Sequence, residues 1–125
     1  MDQIAELLTR IRNATSVRKY SVKTAYSKMK EAILMILKSE GFIADFQVVE
    51  DESKKVIEIE ISPQNAPIHL KKISKSGQRV YVKNNKIPKP LRGLGTTIVS
   101  TSSGIVTGRE AAKKGLGGEL ICEIW

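Results

Sequence analysis

The chain has one cysteine, one histidine and few aromatic residues, which make up 5% of its 125 positions. Each shortage removes a class of function. A lone Cys122 cannot form an internal disulfide, and its place in the apolar run Leu120-Ile121-Cys122 predicts a packed thiol, not a nucleophile. Triad catalysis needs an imidazole, and the single candidate, His69, stands between Ile68 and Leu70 as an ordinary strand residue would. Zinc requires three or four Cys, His or carboxylate ligands at suitable spacing, so neither a metal nor a cofactor is expected. No apolar run approaches the roughly 20 residues that cross a bilayer, and no basic segment precedes an apolar one at the start, so the sequence predicts a soluble cytoplasmic protein with no membrane partner. Neither Gly93-Leu94-Gly95 nor Gly115-Leu116-Gly117-Gly118 has the spacing of a phosphate-binding loop, and these glycines are read as turn residues. Glu58 and Glu60 fall on the outward face of a strand, where paired acids are simply solvated. Enzymatic activity on a small-molecule substrate is not expected.

What the chain does have is a lopsided charge. Residues 1–66 carry ten basic and ten acidic groups, whereas residues 67–125 carry eleven basic groups against Glu110, Glu119 and Glu123, so the whole net charge of +8 lies in the second part. A one-sided positive field attracts polyanions, and counterion release from phosphates supplies affinity without sequence information. Hydrophobic residues make up 41% of the chain, enough for one modest domain or two small ones.

Periodicity gives the order of elements. Ile4, Leu7, Leu8 and Ile11 recur at helical spacing behind Asp2, a candidate cap. A short strand is expected over Tyr20–Tyr26. Ser27 precedes a helix over Lys28–Glu40 with Met29, Ile33, Ile36 and Leu37 on one face, and Gly41 suits its C-terminal cap. Phe42–Glu50 and Val56–Ile61 predict a hairpin with Ile57, Ile59 and Ile61 inward. Ser62-Pro63-Gln64-Asn65-Ala66-Pro67 breaks both periodicities where the charge balance changes, which places a boundary between domains 1–66 and 67–125. Beyond it, strands are expected over Ile68–Ile73, Val80–Lys83, Thr96–Ser100 and Leu120–Trp125, and Thr107 with Glu110 has capping-box spacing for a short helix ending at Gly115. The fold class is therefore α+β, an αβαββ unit followed by a small, mostly antiparallel β-rich unit with one short helix.

Ser100-Thr101-Ser102-Ser103-Gly104 clusters hydroxyls where the chain is most basic. Serine and threonine are short and both donate and accept, so they can meet the 2′-hydroxyls and base edges of RNA's shallow minor groove, while nearby Lys and Arg hold phosphates. The same residues would also make an ordinary serine-rich turn. A DNA-binding regulator is the alternative class, but the long helix from Lys28 is too apolar to serve as a recognition helix.

The stretch from Gly93-Leu94-Gly95-Thr96 through Ser100-Thr101-Ser102-Ser103-Gly104 to Thr107, with Arg109-Glu110-Ala111 and Gly117-Gly118-Glu119-Leu120, resembles the C-terminal signature of the bacterial-type small-subunit ribosomal protein S-eight family. Leu8-Thr9-Arg10-Ile11-Arg12-Asn13-Ala14 and Ser27-Lys28-Met29-Lys30 resemble its opening, so the likeness runs the full length. It implies an α/β domain packed on a β-rich domain, and a ribosomal scaffold that binds a stem in the central domain of small-subunit rRNA early in assembly. Neighbouring small-subunit ribosomal proteins are implied as partners, together with repression of the protein's own operon through an mRNA stem, and a monomer is expected when free. By position, Ser100, Thr101, Ser102, Ser103 and Gly104 match the loop that enters the minor groove. Glu119, Arg79 and Tyr81 match its neighbours, with Tyr81 able to stack on a base. Lys83, Lys86, Lys89, Arg92, Lys113 and Lys114 would hold phosphates. Arg10, Arg12, Asn13, Ser27, Lys28 and Lys30 match segments near a second rRNA region, although Thr15, Ser16 and Ala25 depart from the family's pattern there.

Overall fold

The computed structural model describes residues 3–64, 69–75, 77–89 and 95–125. The candidate cap Asp2, the expected boundary at Ala66 and Pro67, and Arg92 lie outside the described residues. The fold is mixed α+β with antiparallel sheets, and the chain divides into two compact units, Gln3–Ile68 and His69–Trp125.

The first unit runs α1 (Gln3–Ser16), β1 (Ser21–Ala25), α2 (Lys28–Ser39), β2 (Asp45–Asp51) and β3 (Lys54–Glu60). Its sheet has the order β1-β3-β2, with Val22 opposite Ile59 and Thr24 opposite Ile57. Those four residues are buried together with Ile4, Leu7, Leu8 and Ile11 of α1 and Ile33, Leu34 and Leu37 of α2, so both helices cover one face of the sheet. Ser27 caps α2 by accepting the Lys30 N–H at 3.1 Å. Gly41, at φ 83°, ends that helix: its own N–H reaches the Lys38 carbonyl and the Phe42 N–H reaches Leu37, the paired bonds of a left-handed C-terminal cap. The β2–β3 hairpin closes on Glu52 and Ser53, both with positive φ, a two-residue turn whose twist matches the strands.

The buried face of α2 differs in part from the one the sequence predicts. α2 buries Lys30, Ile33, Leu34 and Leu37, while Met29 is 41% exposed. Ile33 and Leu37 are buried as the pattern predicts, but Lys30 and Leu34 take the places expected for Met29 and the half-buried Ile36, because a polar residue at a core position is invisible to a hydrophobic pattern.

The second unit contains β4 (Leu70–Lys72), β5 (Tyr81–Val82), a 3-10 turn (Asn84–Lys86), β6 (Thr96–Thr101), β7 (Gly104–Thr107), α3 (Gly108–Lys113) and β8 (Gly118–Ile124). β8 is its centre. It pairs with β4 near its end, with β5 at its start and with β6 along its length, and β6 then pairs with β7. Ile98 faces Cys122 and Val99 faces Leu120, so Ile121 is an extra residue that bends the strand and lets Leu120, Ile121 and Cys122 all be buried. Burial pushes the Cys122 thiol up to about 12, which keeps it protonated and inert. His69 exchanges both backbone hydrogen bonds with Trp125, and their rings stack at 5.0 Å. Thr107 caps α3 by accepting the Glu110 N–H at 3.2 Å.

Candidate nucleic-acid interface

The hydroxyl cluster is the tip of a hairpin. β6 and β7 pair through Thr101 opposite Gly104, which leaves Ser102 and Ser103 as a two-residue turn. Thr101 braces that turn from within: its hydroxyl donates to the Gly104 carbonyl at 2.9 Å and accepts the Ser103 N–H at 3.1 Å. Gly104 takes φ 106°, a conformation that a side chain would strain. Ser102, Ser103 and Gly104 are exposed, and the Ser102 and Ser103 hydroxyls bond to no described protein group. The sequence predicts only a loop here, and the structure adds β7.

The tip stands on a row of residues that crosses four strands. Tyr81 of β5 pairs with Glu119 of β8, Glu119 with Ser100 of β6, and Ser100 with Ile105 of β7. Residues opposite one another in antiparallel strands share a face, so Tyr81, Glu119 and Ser100 line one surface leading to the tip. Tyr81 is 71% exposed, which settles its side of the sheet: the ring belongs to the surface and not the core.

Glu119 is held by two groups. Its Oε2 accepts from the buried Ser74 hydroxyl and, at 3.0 Å, from Arg79 Nη1. The Ser74 hydroxyl itself accepts the Val80 N–H at 3.2 Å, and the Ser74 carbonyl accepts from Lys72 Nζ. The Ser74 hydrogen bond holds the Glu119 carboxyl below its ordinary value; burial opposes this and Arg79 adds to it. Arg79 is thereby a partner of Glu119 in the free protein. Ser74 was not singled out from the sequence, since nothing in Ile73-Ser74-Lys75 sets it apart.

Two glycines from the C-terminal run make close backbone approaches instead of turns. A Cβ on Gly118 would lie 2.1 Å from the Ser100 carbonyl oxygen, and one on Gly117 would lie 2.5 Å from that of Val82. Gly115 alone serves the turn, at φ 68°, where its N–H and that of Leu116 close the end of α3. The 3-10 turn contacts α3, so exposed Lys83 and Lys86 and exposed Lys113 and Lys114 belong to adjoining elements of the same unit. Lys89 is exposed as well.

The six residues from the first unit are more varied. Arg12, Asn13 and Lys28 are exposed. Arg10 binds Glu6 at 3.0 Å and the Lys23 carbonyl at 3.2 Å. Ser27 is occupied as the α2 cap. Lys30 is 3% exposed, with its ammonium 2.9 Å from the Thr24 hydroxyl, 3.2 Å from the Ala25 carbonyl and 3.8 Å from Glu6. A lysine so enclosed contributes to the core of its own unit.

Comparison with known proteins agrees along the whole chain. Residues 2–125 match the family described as Ribosomal protein S8. The small ribosomal subunit protein uS8 of Natranaerobius thermophilus is 47% identical over 99% of this chain and 97% of its own length. That of Caldicellulosiruptor bescii is 45% identical over 100% and 98%, and that of Thermus thermophilus 46% over 99% and 98%.

Proposed function

The chain belongs to the ribosomal protein S8 family, and from that premise we propose that it is a structural protein of the small ribosomal subunit that binds a stem in the central domain of the rRNA through the β6–β7 hairpin. The observation that carries this reading is the exposed tip itself: two free serine hydroxyls on a braced turn, beside an exposed tyrosine and an anchored carboxylate, on the unit that holds the chain's net positive charge.

The roles divide by geometry. Ser102 and Ser103 meet 2′-hydroxyls and base edges in the minor groove, because both can donate and accept at short reach. Thr101 keeps the turn in shape, so little ordering entropy remains to be lost on binding. Gly104 lets the nucleic acid approach the backbone. Ser100 and Glu119 form the floor, where Glu119 Oε1, which accepts from no described group, takes a base amino group. Tyr81 stacks on a base or sugar. Lys83, Lys86, Lys89, Lys113 and Lys114 hold phosphates and set the salt dependence, with Arg92 a further member of that set. Arg12, Asn13 and Lys28 serve a second rRNA segment. An mRNA stem of the same shape would be held by the same hairpin, since this set of groups reads RNA form and not its origin.

The test compares binding to the central-domain stem with binding to a scrambled stem of equal length at two salt concentrations. Preference that survives the higher salt is the expected result. Equal, salt-sensitive binding to both would mean a merely basic surface and would overturn the reading.

A further inference from the structure

The two edges of the first unit's sheet are treated differently. On β1, the residues that alternate away from β3 are Ser21, Lys23 and Ala25, as the Tyr26 N–H to Lys55 and Ile61 N–H to Tyr20 bonds fix for their neighbours. Side chains cover that edge: Arg10 binds the Lys23 carbonyl and Lys30 the Ala25 carbonyl. β2 forms the opposite edge. Its hairpin closes with Asp51 opposite Lys54 around a two-residue turn, so positions 51, 49 and 47 bond to β3, while the backbone groups of Phe46, Val48 and Glu50 point away from it. The Phe46 N–H is taken by Asp45 Oδ1 at 2.8 Å. Among the described residues nothing bonds to the outward N–H and C=O of Val48 or Glu50, and Val48 is 36% exposed.

An open edge is a template for another strand. Its charges select the occupant. β2 has acidic Asp45, Glu50 and Asp51 and no lysine or arginine, so a second copy of the chain would bring like charges together. Lys38 pairs with Asp45 Oδ1 at 2.9 Å, Lys54 stands opposite Asp51 and Lys55 opposite Glu50 on β3, and Glu50 and Glu52 are exposed.

We propose that the outer edge of β2 is a docking strand for an extended cationic segment of a neighbouring protein, paired antiparallel with a small apolar residue opposite Val48 and a lysine or arginine opposite Glu50. This rests on the small-subunit reading only for the presence of such a neighbour. The carboxylates that discourage self-association thereby choose the partner.

The experiment uses the full chain and two fluorescent peptides, one alternating lysine and valine and the other glutamate and valine. The lysine peptide is expected to bind despite the chain's net charge of +8, with amide exchange slowed at Val48 and Glu50, while the glutamate peptide does not bind. Val48→Pro removes the outward N–H without touching the β2–β3 ladder, and is expected to weaken the lysine peptide about tenfold while leaving rRNA-stem binding intact. Glu50→Lys, which needs no backbone change, is expected to reverse the preference between the peptides. Equal binding of both peptides, or slowed exchange elsewhere than β2, would overturn the proposal whatever the result with rRNA.

Discussion

Replacing Gly118 by alanine should damage the hairpin without touching any polar group in it. The added Cβ would stand 2.1 Å from the Ser100 carbonyl oxygen, 3.0 Å from its carbon and 3.2 Å from Thr101 Cα, and all three are backbone atoms that no rotamer can move aside. Unstrained contacts of this kind need about 3.5 Å, so β8 and β6 must separate locally by roughly 1 Å. Overpacking costs about 1–3 kcal/mol, and loosening one or two ladder hydrogen bonds around the Ser100–Glu119 pair adds about 1 kcal/mol each. Taken together the loss is about 2–5 kcal/mol. With a slope of about 2 kcal/mol per M, the urea midpoint should fall by about 1–2.5 M. Binding to the central-domain stem should weaken beyond what the unfolded fraction explains, since Ser100 and Thr101 lead into the tip. Gly41→Ala is the control: Gly41 sits at φ 83° with nothing near its missing Cβ, so it should cost only about 1 kcal/mol of backbone strain and leave stem binding alone. A Gly118→Ala chain with a wild-type urea midpoint and stem affinity would refute the close-approach argument.

Ser102→Ala should weaken the central-domain stem by about 1 kcal/mol, roughly fivefold, with no change in urea midpoint; undiminished affinity in a filter-binding titration would remove Ser102 from the site. Replacing Lys113 and Lys114 by alanine should weaken all RNAs alike and flatten the salt dependence, and loss confined to one stem would contradict a phosphate-only role. Lys30→Met should cost about 1–3 kcal/mol by leaving the Thr24 hydroxyl and the Ala25 carbonyl without this donor and removing the cation beside Glu6, yet leave RNA affinity unchanged; a stable variant that loses RNA binding would restore Lys30 to the interface. Ser74→Ala should let the Glu119 carboxyl titrate closer to its ordinary 4.5, as followed by carbon NMR. In the wild type the folded carboxyl lies below that value, so its contribution is fully present above the unfolded pKa and is lost as pH falls through the folded one. An unmoved titration in Ser74→Ala would mean that Arg79 and not Ser74 lowers the group.

Most elements were legible because their periodicities are clean. Ile4, Leu7, Leu8 and Ile11 could be buried together only on a helix, and Ile57, Ile59 and Ile61 only on one face of a strand. β7 escaped notice because it has four residues and begins with glycine, which reads as the end of a turn until its pairing with β6 is known. Gly117 and Gly118 read as turn residues for a related reason. A glycine's sequence neighbours report local chain reversal, whereas the carbonyls of Val82 and Ser100 that actually forbid a side chain come from strands far along the chain.

The site divides along the same line. Ser102 and Ser103 could be found from sequence because small polar residues at a hairpin tip keep their chemistry exposed. Cations could not be sorted in that way. A count of lysines and arginines treats all 21 as equal, but a cation's role depends on which acceptors reach it. Arg79 is paired with Glu119, Arg10 and Lys30 cover the β1 edge, and Lys30 does so from inside the core, where an apolar residue would have left the Ala25 carbonyl without this donor. Lys83, Lys86, Lys113 and Lys114 keep exposed side chains. The formal excess of +8 already counts Arg79 and Glu119 against each other, so their pairing does not alter it; the pairing decides that Arg79 is held by Glu119 while those four lysines keep exposed side chains for phosphate. Releasing that arginine through Glu119→Gln should raise non-specific RNA affinity and steepen its salt dependence, while lowering preference for the central-domain stem; a parallel rise for both stems with preference intact would mean that Glu119 only restrains a charge and reads no base.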